Sequence, residues 1–341
     1  MKFEFLSEQI NTIRSLLAQP KKIVITTHHR PDGDAIGSCL ALYHFLADGG
    51  HDISMIAPDD FPEFLRWMPD SSKVISYENN MASCDMKVKA AEIIFCLDFN
   101  RLDRLDKLSD VVSKSGAKKI LIDHHLDPEK SFDFIFSYSD SCATCELIYY
   151  FILSLDNIKV ISKSVAECLY TGIMTDTQSF RFSTMTADTH RIIANLIETG
   201  IENHTIHENV YDSYSEHRLR LLGYCINNKL KVLPEFKTAF ITLTKEELDR
   251  FHFISGDSEG FVNYALAIDG IRLAGFFIER DGIIKVSLRS KGYFSVKEMA
   301  EKYFEGGGHL NAAGGSSKLS MDATVEKFLS VLKQYSKALS A

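Results

Sequence analysis

An α/β fold is predicted by the sequence, with an N-terminal parallel-sheet domain that carries helices on both faces, linker helices and a smaller C-terminal α+β domain. Three observations predict it. A chain of 341 residues exceeds what one hydrophobic core usually organises. In the first third of the chain, nearly continuous apolar runs alternate with helix-like segments, which is typical of a parallel sheet buried on both faces. In the last third, short strands and helices are mixed.

Buried strands and amphipathic helices alternate in the N-terminal part. The segment "KKIVITT" at 21–27 predicts a strand, and "DAIGSCLALYHFLADGG" at 34–50 predicts a helix that ends at two glycines. The other predicted elements are a helix in 7–18, strands in 52–58, 73–77, 91–99 and 118–125, and a helix in 101–116.

From about residue 142 the chain becomes mainly helical, with helical apolar spacing in 145–155, 164–177 and 188–200. The segment 202–228 is helix-like but more polar. Because helices that are polar on most faces often bridge two domains, we take it as part of a linker. The predicted domains are 1–190, a helical linker at 191–228 and a C-terminal domain at 229–341.

The C-terminal domain mixes both kinds of element. Its predicted strands lie at 237–244, 271–279 and 282–290. A helix at 295–304, a glycine-rich turn at 305–315 and a closing helix at 323–339 complete it.

The charge balance limits the class of partner. The chain has 38 basic and 46 acidic residues, a formal net charge of −8 at pH 7. A general duplex-binding protein normally presents a basic face, so this balance argues against one. A small anionic substrate in a local pocket remains compatible with it.

The N-terminus and the cysteines predict a cytoplasmic protein. The N-terminus lacks the apolar core of a signal peptide, and no apolar run reaches the length of a membrane-spanning helix. Seven scattered cysteines fit free thiols in a reducing compartment. Cys142 and Cys145 have the spacing of a redox motif, but we interpret them as ordinary helix residues because no second pair accompanies them.

Titratable side chains collect where the predicted strands end. In an open parallel sheet, ligands bind at the carboxyl ends of the strands, so these side chains would meet at one edge. The residues are His28, Asp32 and Asp34 after the first strand, Asp98 after the strand in 91–99, Asp123, His124 and His125 after the strand in 118–125, and Asp176 just past an apolar helix.

Each of these residues also has an ordinary structural interpretation. Asp34 could cap the next helix, Asp98 could cap the helix that begins near Arg101, and a histidine pair is often structural. Taken together, these residues favour a metal site, because carboxylates gathered at one edge would repel one another without cations. Carboxylate and imidazole ligands without thiolate suit Mn²⁺ or Mg²⁺, and six ligands suit two ions that keep open positions.

The same residues resemble a known family. "HHRPDGD", Asp98 in "CLDF", "DHH" at 123–125 and "TGIMTD" resemble, in order, the four motifs of the DHH phosphoesterases. "GGGHLNAAGG" at 306–315, preceded by "VSLRSK" at 286–291, is similar to the signature of the DHH-associated C-terminal domain. The resemblance spans roughly residues 20 to 320. The two-domain layout is most similar to the nanoRNase group of oligoribonucleases and 3′-phosphoadenosine 5′-phosphate (pAp) phosphatases.

The resemblance implies two sets of metal ligands, one for each of two divalent ions, Mn²⁺ first with Mg²⁺ or Co²⁺ as alternatives. Asp123 would support the site without ligating, and His29 would point elsewhere. The implied sets are His28, Asp32 and Asp98 for one ion, and Asp34, Asp98, His124 and Asp176 for the other, with Asp98 shared.

Other residues would contact the substrate. His125 would donate a hydrogen bond or proton to the phosphoryl group or leaving oxygen, with Arg181 as a lesser candidate. Glycines allow backbone N–H groups to approach a phosphate, and Arg289 could clamp a second phosphate, although a flexible turn and a surface ion pair are the ordinary readings. The implied second anion site consists of Arg289, Gly306, Gly307, Gly308 and His309.

The expected function is hydrolysis of short oligoribonucleotides or pAp to mononucleotides by metal-activated water. A cyclic-dinucleotide or pApA phosphodiesterase is the alternative, with an inorganic pyrophosphatase third, and a catalytically inactive nucleotide-binding regulator is the alternative of another class. Phe99 and Asn100 depart from the small residues expected after this aspartate and could reshape the pocket floor. The sequence leaves open the preferred substrate, the cleavage polarity and the metal, and the expected assembly is a homodimer.

Overall fold

The computed structural model describes residues 5, 7–156, 161–182, 184–254 and 256–340. The chain divides into two compact units, Met1–Ser213 and Tyr214–Ala341. This division falls inside the segment expected to be a linker, and the bounds of that linker stay a prediction.

The first unit is built on a parallel six-stranded sheet with the strand order β3-β2-β1-β4-β5-β6. Its strands are β1 (Lys22–Thr27), β2 (Asp52–Ala57), β3 (Ile75–Ser76), β4 (Ile93–Leu97), β5 (Lys118–Asp123) and β6 (Phe134–Ser137). Its helices are α1 (Ser7–Leu17), α2 (Gly33–Ala47), α3 (Tyr77–Ala90), α4 (Ser109–Lys114), α5 (Thr144–Leu155), α6 (Lys163–Asp176), α7 (Ala187–Glu198) and α8 (Asn203–Tyr211).

Helices cover both faces of this sheet, because its strands are apolar on both sides. Ile23 and Ile25 of β1 pack into a core with α2, α5 and α6. Val24, between them, packs into a second core with α3 and α4 on the opposite face. Successive side chains of a strand point to opposite faces, which accounts for this alternation. The predicted parallel sheet with helices on both faces is confirmed.

The second, smaller unit contains a mixed six-stranded sheet with the order β11-β12-β10-β9-β8-β7, in which only β8 and β9 pair in parallel. Its strands are β7 (Lys231–Leu233), β8 (Thr238–Leu243), β9 (Leu273–Arg280), β10 (Ile283–Ser290), β11 (Gly307–Gly308) and β12 (Ala312–Ser317). Its helices are α9 (Glu216–Tyr224), α10 (Lys245–Arg250), α11 (Phe261–Leu266), α12 (Val296–Tyr303) and α13 (Met321–Ser340). The predicted smaller C-terminal α+β domain is therefore confirmed.

Several predicted elements differ from the structure. The strand expected at 73–77 has only two residues, because Tyr77 already begins α3. The helix expected at 101–116 begins as a 3₁₀ turn at Leu102–Leu108, where Asp106 has a φ of 50° and interrupts the helical path. The polar segment 202–228 forms two helices, α8 and α9, followed by a π turn at Cys225–Lys229. Within the described ranges, no helix is both long and apolar enough to span a bilayer.

Candidate metal centre

Small residues bring α2 and α6 into close contact beneath the site. A Cβ atom at Gly37 would lie 2.7 Å from the carbonyl oxygen of Cys168 and 3.3 Å from the Cα of Gly172. A Cβ atom at Gly172 would lie 2.9 Å from Oδ1 of Asp34. These approaches are closer than a methyl group allows, so glycine is required for α2 and α6 to meet here. Their contact places Asp34, near the start of α2, beside the end of α6, where Asp176 lies.

Three adjacent parallel strands supply the rest of the cluster. β1, β4 and β5 end side by side, and they are followed or closed by His28, Asp98 and Asp123. Asp98 has a φ of 64°, in the left-handed region that non-glycine residues seldom adopt. Its backbone N–H donates to the carbonyl oxygen of Ile122, 3.1 Å away. The chain therefore turns sharply at Asp98, a strained conformation of the kind found at functional sites.

The structure brings all six expected ligands into neighbouring groups at this edge. Nε2 of His28 lies 3.5 Å from Oδ2 of Asp98, and Nε2 of His124 lies 3.5 Å from Oδ1 of the same aspartate. Asp98 thus directs one oxygen to each histidine. Among the described residues of the first unit, three groups have ligand atoms within 4.8 Å of one another, namely His28, Asp32 and Asp98; Asp34, His124 and Asp176; and Asp98, Asp123 and His125.

Backbone carbonyls orient the two histidines of the first two groups. Nδ1 of His28 lies 2.9 Å from the carbonyl oxygen of His29, and Nδ1 of His124 lies 3.3 Å from that of Ser141. A carbonyl oxygen only accepts, so Nδ1 carries the proton in each case. In the neutral ring Nε2 is then left as the ligand atom, and it faces the carboxylates in both histidines.

Helix N-termini hold two of the carboxylates. Asp32, rather than Asp34, is the N-cap of α2, and its Oδ1 accepts from the N–H groups of Asp34 and Ala35 at 3.1 Å each. The carboxylate of Asp34 accepts from the N–H groups of Thr144 (2.5 Å) and Cys145 (2.8 Å) in the first turn of α5. These donors leave the remaining oxygen lone pairs free to face the centre of the cluster.

Thr144 and its neighbours in the segment 141–146 were missed by the sequence analysis. The Thr144 hydroxyl donates to Oδ1 of Asp98 at 2.9 Å, in addition to the N–H bond to Asp34. One signal was available in the sequence, because Glu146 stands near the start of a largely apolar helical segment. In the structure its carboxylate is completely buried. Cys142 and Cys145 are free and buried, and Cys145 lies in the first turn of α5.

Negative charge is in excess at the site. Burial, followed by the nearby Asp34 and Asp32, raises the pKa of Asp98 well above its ordinary value. Burial also raises the pKa of Asp34, despite the neighbouring His124. Burial alone would lower the pKa of His124, but the carboxylates of Asp176, Asp34 and Asp123 together raise it. Burial lowers the pKa of His28, which favours its neutral, ligating form.

This donor set fits divalent cations. Within the described part of the chain, the ion pairs of Asp34, Asp98 and Asp123 are all with histidines. Oδ2 of Asp123 is buried and has no hydrogen-bond partner among the described residues. Buried carboxylates without cationic partners are costly, and oxygen and imidazole donors without thiolate match hard or borderline divalent ions.

His125 and Asp123 form a pair beside the cluster. Nδ1 of His125 lies 2.7 Å from Oδ1 of Asp123, which is completely buried. Asp123 therefore orients His125, whereas His124 is oriented by a backbone carbonyl. The imidazole of His29 lies 3.3 Å from Oδ1 of Asp59 and so points to a different partner, as expected from the sequence.

The structure also bears on the expectations for Phe99, Asn100 and Arg181. Phe99 is completely buried in the core on the α3 and α4 face, where its ring packs against Phe132, so the expectation that it reshapes the pocket floor was wrong. The side-chain amide of Asn100 instead donates to the carbonyl oxygen of Leu126 at 2.6 Å and so holds the loop after His125.

Arg181 is exposed, and its guanidinium donates to Gln178 in its own turn, so its hydrogen bonds do not connect it to the carboxylates.

The glycine-rich segment of the C-terminal unit is a hairpin within the sheet, not a plain turn. Gly307 and Gly308 pair with β12, and the N–H of His309 donates to the carbonyl oxygen of Ala312 at 2.7 Å. Gly308 has a φ of 141°, which only glycine adopts readily. A Cβ atom at Gly306 would collide with the backbone oxygen of Gly314.

Arg289 lies on β10, next to the strand that follows this hairpin. Its backbone partners on the two neighbouring strands are Ala274 and Ala312, so small side chains flank it on both sides. The side chain is partly exposed, and Nη1 donates to the carbonyl oxygen of Leu288 at 3.0 Å. Arg289 and the hairpin therefore occupy neighbouring strands within this unit.

Comparisons with known proteins agree with this arrangement. Residues 22–173 match the DHH family N-terminal domain, and residues 242–338 match the DHHA1 domain. The chain is 28% identical over 298 residues to the bifunctional oligoribonuclease and PAP phosphatase NrnA of Bacillus subtilis, covering 86% of this chain and 88% of that protein. It is 28% identical over 313 residues to the NrnA of Thermus thermophilus, covering 92% and 89%.

Solved structures share the fold. An exopolyphosphatase-related protein from Bacteroides fragilis is 42% identical, has a TM-score of 0.95 and covers 98% of both chains. RecJ of Thermus thermophilus, solved in complex with Mn²⁺, is 13% identical with a TM-score of 0.56, covering 97% of this chain and 54% of RecJ, and resembles it in fold alone. Motifs, fold and relatives agree that the chain belongs to the DHH family of phosphoesterases, and it is therefore a hydrolase with a C-terminal DHHA1 domain.

Proposed function

We propose that this protein is a two-metal phosphoesterase that hydrolyses short oligoribonucleotides, pAp or both to mononucleotides with metal-activated water. The observation that carries the proposal is the pair of ligand groups that meet at Asp98, one with His28 and Asp32 and the other near His124. Relatives named bifunctional oligoribonuclease and PAP phosphatase, similar over most of their length, support the substrate class.

The proposed metals are two divalent ions, Mn²⁺ first and Mg²⁺ or Co²⁺ as alternatives. When bound, they would supply a water of lowered pKa and neutralise the phosphoryl oxygens. The preference for Mn²⁺ rests on the mixture of imidazole and carboxylate donors without thiolate. The residues that would hold them are His28, Asp32 and Asp98 for one ion and Asp34, Asp98, His124 and Asp176 for the other, with Asp123 as a supporting residue.

His125 is the proposed hydrogen-bond donor or general acid for the leaving oxygen. Asp123 accepts the Nδ1–H of His125 at 2.7 Å, which fixes the orientation of the ring. The opposite ring nitrogen, Nε2, would then face the substrate. Arg181 is a weaker candidate, because its guanidinium is bonded to Gln178.

The C-terminal hairpin is the proposed site for a second anionic group. Arg289 offers a guanidinium flanked by alanines, the lack of side chains at Gly307 and Gly308 allows an anion to approach the backbone, and His309 offers an imidazole. The group bound there would be a terminal phosphate of the substrate. The net charge of −8 agrees with short substrates, because a long polymer normally requires an extended basic track.

A substrate panel tests the proposal. Purified protein would be assayed with Mn²⁺, Mg²⁺ or Co²⁺ on pAp, di-, tri- and tetraribonucleotides, a long oligoribonucleotide, pApA and c-di-AMP. We expect hydrolysis of pAp or the short oligoribonucleotides that stops when the metal is chelated. Faster hydrolysis of c-di-AMP or pApA would select the cyclic-dinucleotide pathway enzyme instead. Nucleotide binding without hydrolysis of any substrate would favour an inactive regulator.

A second candidate substrate, polyphosphate, comes from the relative that is 42% identical and is described as exopolyphosphatase-related. Polyphosphate, like an oligoribonucleotide, is a chain of repeated anionic phosphate groups. It therefore belongs in the same panel, with inorganic pyrophosphate beside it. Release of phosphate from polyphosphate at a rate above that from pAp would favour this candidate.

Cellular location and assembly complete the proposal. All seven cysteines are free and buried, which supports a reducing, cytoplasmic compartment.

A homodimer is the proposed assembly, and light scattering coupled to size-exclusion chromatography would test it. A monomer across the working concentration range would contradict it.

A further inference from the structure

Glu146 is a buried carboxylate that the proposed chemistry does not use. It lies in the first turn of α5, among apolar residues, and is completely inaccessible. Its Oε2 lies 2.7 Å from the Ser141 hydroxyl and accepts the N–H of Cys142 at 3.0 Å. Its Oε1 accepts from the Thr189 hydroxyl of α7 at 2.7 Å. Burial of a carboxylate is costly unless it is hydrogen-bonded, so this placement requires the whole network.

Glu146 joins two parts of the chain that orient ligand groups, namely Ser141, to which it is bonded, and the helix turn in which it lies. The backbone carbonyl of Ser141 is the partner of Nδ1 of His124. The first turn of α5, which contains Glu146, supplies the N–H groups of Thr144 and Cys145 that hold Asp34. The carboxylate of Glu146 thus connects the loop that orients His124 to the helix turn that orients Asp34.

The same turn also reaches the aspartate shared by both groups. The Thr144 hydroxyl donates to Oδ1 of Asp98, two positions before Glu146. On its far side, Glu146 is anchored to Thr189, which itself accepts the backbone N–H of the α7 N-cap Thr186 at 3.3 Å. The loop, α5 and α7 are therefore held together by one carboxylate.

We infer that Glu146 is a positioning residue of the metal centre, which sets metal affinity by fixing the loop at Ser141 and the first turn of α5. The inference rests on the proposed two-metal function. Residues that orient metal ligands typically change metal affinity by about 10–100-fold when they are replaced. A residue with a purely structural role would lower the stability of the fold and leave the affinity of the folded protein unchanged.

Metal binding to the metal-free, folded protein is the test, measured by calorimetry with Mn²⁺. Glu146→Gln keeps the size of the side chain but replaces one acceptor oxygen with an amide, so we expect the dissociation constant for Mn²⁺ to rise about tenfold. Glu146→Ala removes both acceptors, and we expect a larger rise. The rate of hydrolysis by Glu146→Gln should approach that of the wild type at saturating Mn²⁺, because the defect lies in affinity.

Two further variants keep the test decisive. Ser141→Ala removes only the hydroxyl that bonds Glu146 and keeps the carbonyl that faces His124, so it gives a smaller rise even if the Glu146 variants fail to fold. Glu167→Gln is the matched control, since this part-buried glutamate on α6 pairs with Lys163 and should leave Mn²⁺ affinity unchanged.

The possible results separate this inference from the proposed function. If the wild type binds no Mn²⁺ and hydrolyses nothing, the two-metal function itself fails. If the wild type binds Mn²⁺, and folded Glu146→Gln and Ser141→Ala bind it equally well, the role of Glu146 is overturned while the function stands.

Discussion

The two sheets of this protein present their proposed functional side chains in opposite ways. At the carboxyl ends of β1, β4 and β5, Asp34 and Asp98 are almost completely buried, and N–H or hydroxyl donors fix their oxygens. In the C-terminal unit, Arg289 and His309 are partly exposed, and small residues flank Arg289. The first group is buried, hydrogen-bonded and in excess of negative charge, whereas the second is partly exposed.

This difference agrees with the two proposed roles, in which the first site binds resident metal ions and the second binds an exchanging substrate. Resident ions need a preorganised set of donors, and carboxylates can be gathered in a buried place only because the ions later compensate their repulsion. A substrate must exchange in every turnover, so its binding groups stay accessible to water. Changes at the first site should therefore affect catalysis and folding together, and changes at the second should affect mainly substrate affinity.

The largest effect is expected from Asp98→Asn. Asparagine tolerates the positive φ at this position but cannot serve as an anionic ligand to both groups. We expect kcat to fall about 10³-fold or more, since several kcal/mol of transition-state stabilisation depend on the metals. The metal-free variant should unfold at a higher temperature than the wild type, because one of several buried, mutually repelling carboxylates is removed. Steady-state kinetics measures the fall in kcat, and thermal unfolding measures the change in unfolding temperature, each with the wild type in parallel.

Arg289→Ala should give the next largest effect and should leave stability nearly unchanged. Loss of a charged hydrogen bond to a phosphate costs about 1.5–3 kcal/mol, so we expect a 10–100-fold rise in KM for pAp. Lys285→Ala, on the same strand and the same partly exposed face, is the control. An equal effect of both variants would mean that only the general charge of the strand matters.

Gly172→Ala tests the crossing of α2 and α6. The added methyl group would contact Asp34 and Cys145, so we expect the free energy of unfolding to fall by about 1–3 kcal/mol and activity to fall with it. Gly223→Ala in α9 is the matched control, because a Cβ atom there meets open space. In a helix that change should stabilise by up to about 1 kcal/mol. Chemical denaturation of both variants makes the comparison.

The smallest effect is expected at Gly307. A Cβ atom there has only a carboxylate oxygen of Glu301 at 4.0 Å, and its φ is not positive, so Gly307→Ala should fold like the wild type. If backbone N–H groups of the hairpin approach a phosphate, KM should rise a few-fold. Gly306→Ala, in contrast, collides with the backbone at Gly314 and should lose stability. Unchanged KM in a folded Gly307→Ala protein would place the phosphate elsewhere.

The sequence predicted the candidate ligand residues better than it predicted the residues that hold them in place. Metal-binding residue types after successive buried strands were enough to expect His28, Asp98 and Asp123 at one edge, because parallel strands end together. The sequence could not show whether Asp32 or Asp34 caps α2, because both lie at the start of this helix. Phe99 was misplaced because one residue of register decides which face of the sheet a side chain meets.

The alternation of strands and helices, the residue types of the proposed ligands and the edge at which they collect could all be read from the sequence, because hydrophobic periodicity and turn residues act locally. The groups that hold those residues in place follow from long-range packing. The N–H of Thr144 meets Asp34 across 110 positions of the chain, and Glu146 meets Thr189 across 43. Such contacts depend on how helices pack on the sheet, and close-packed interiors allow only a few arrangements that no local pattern encodes.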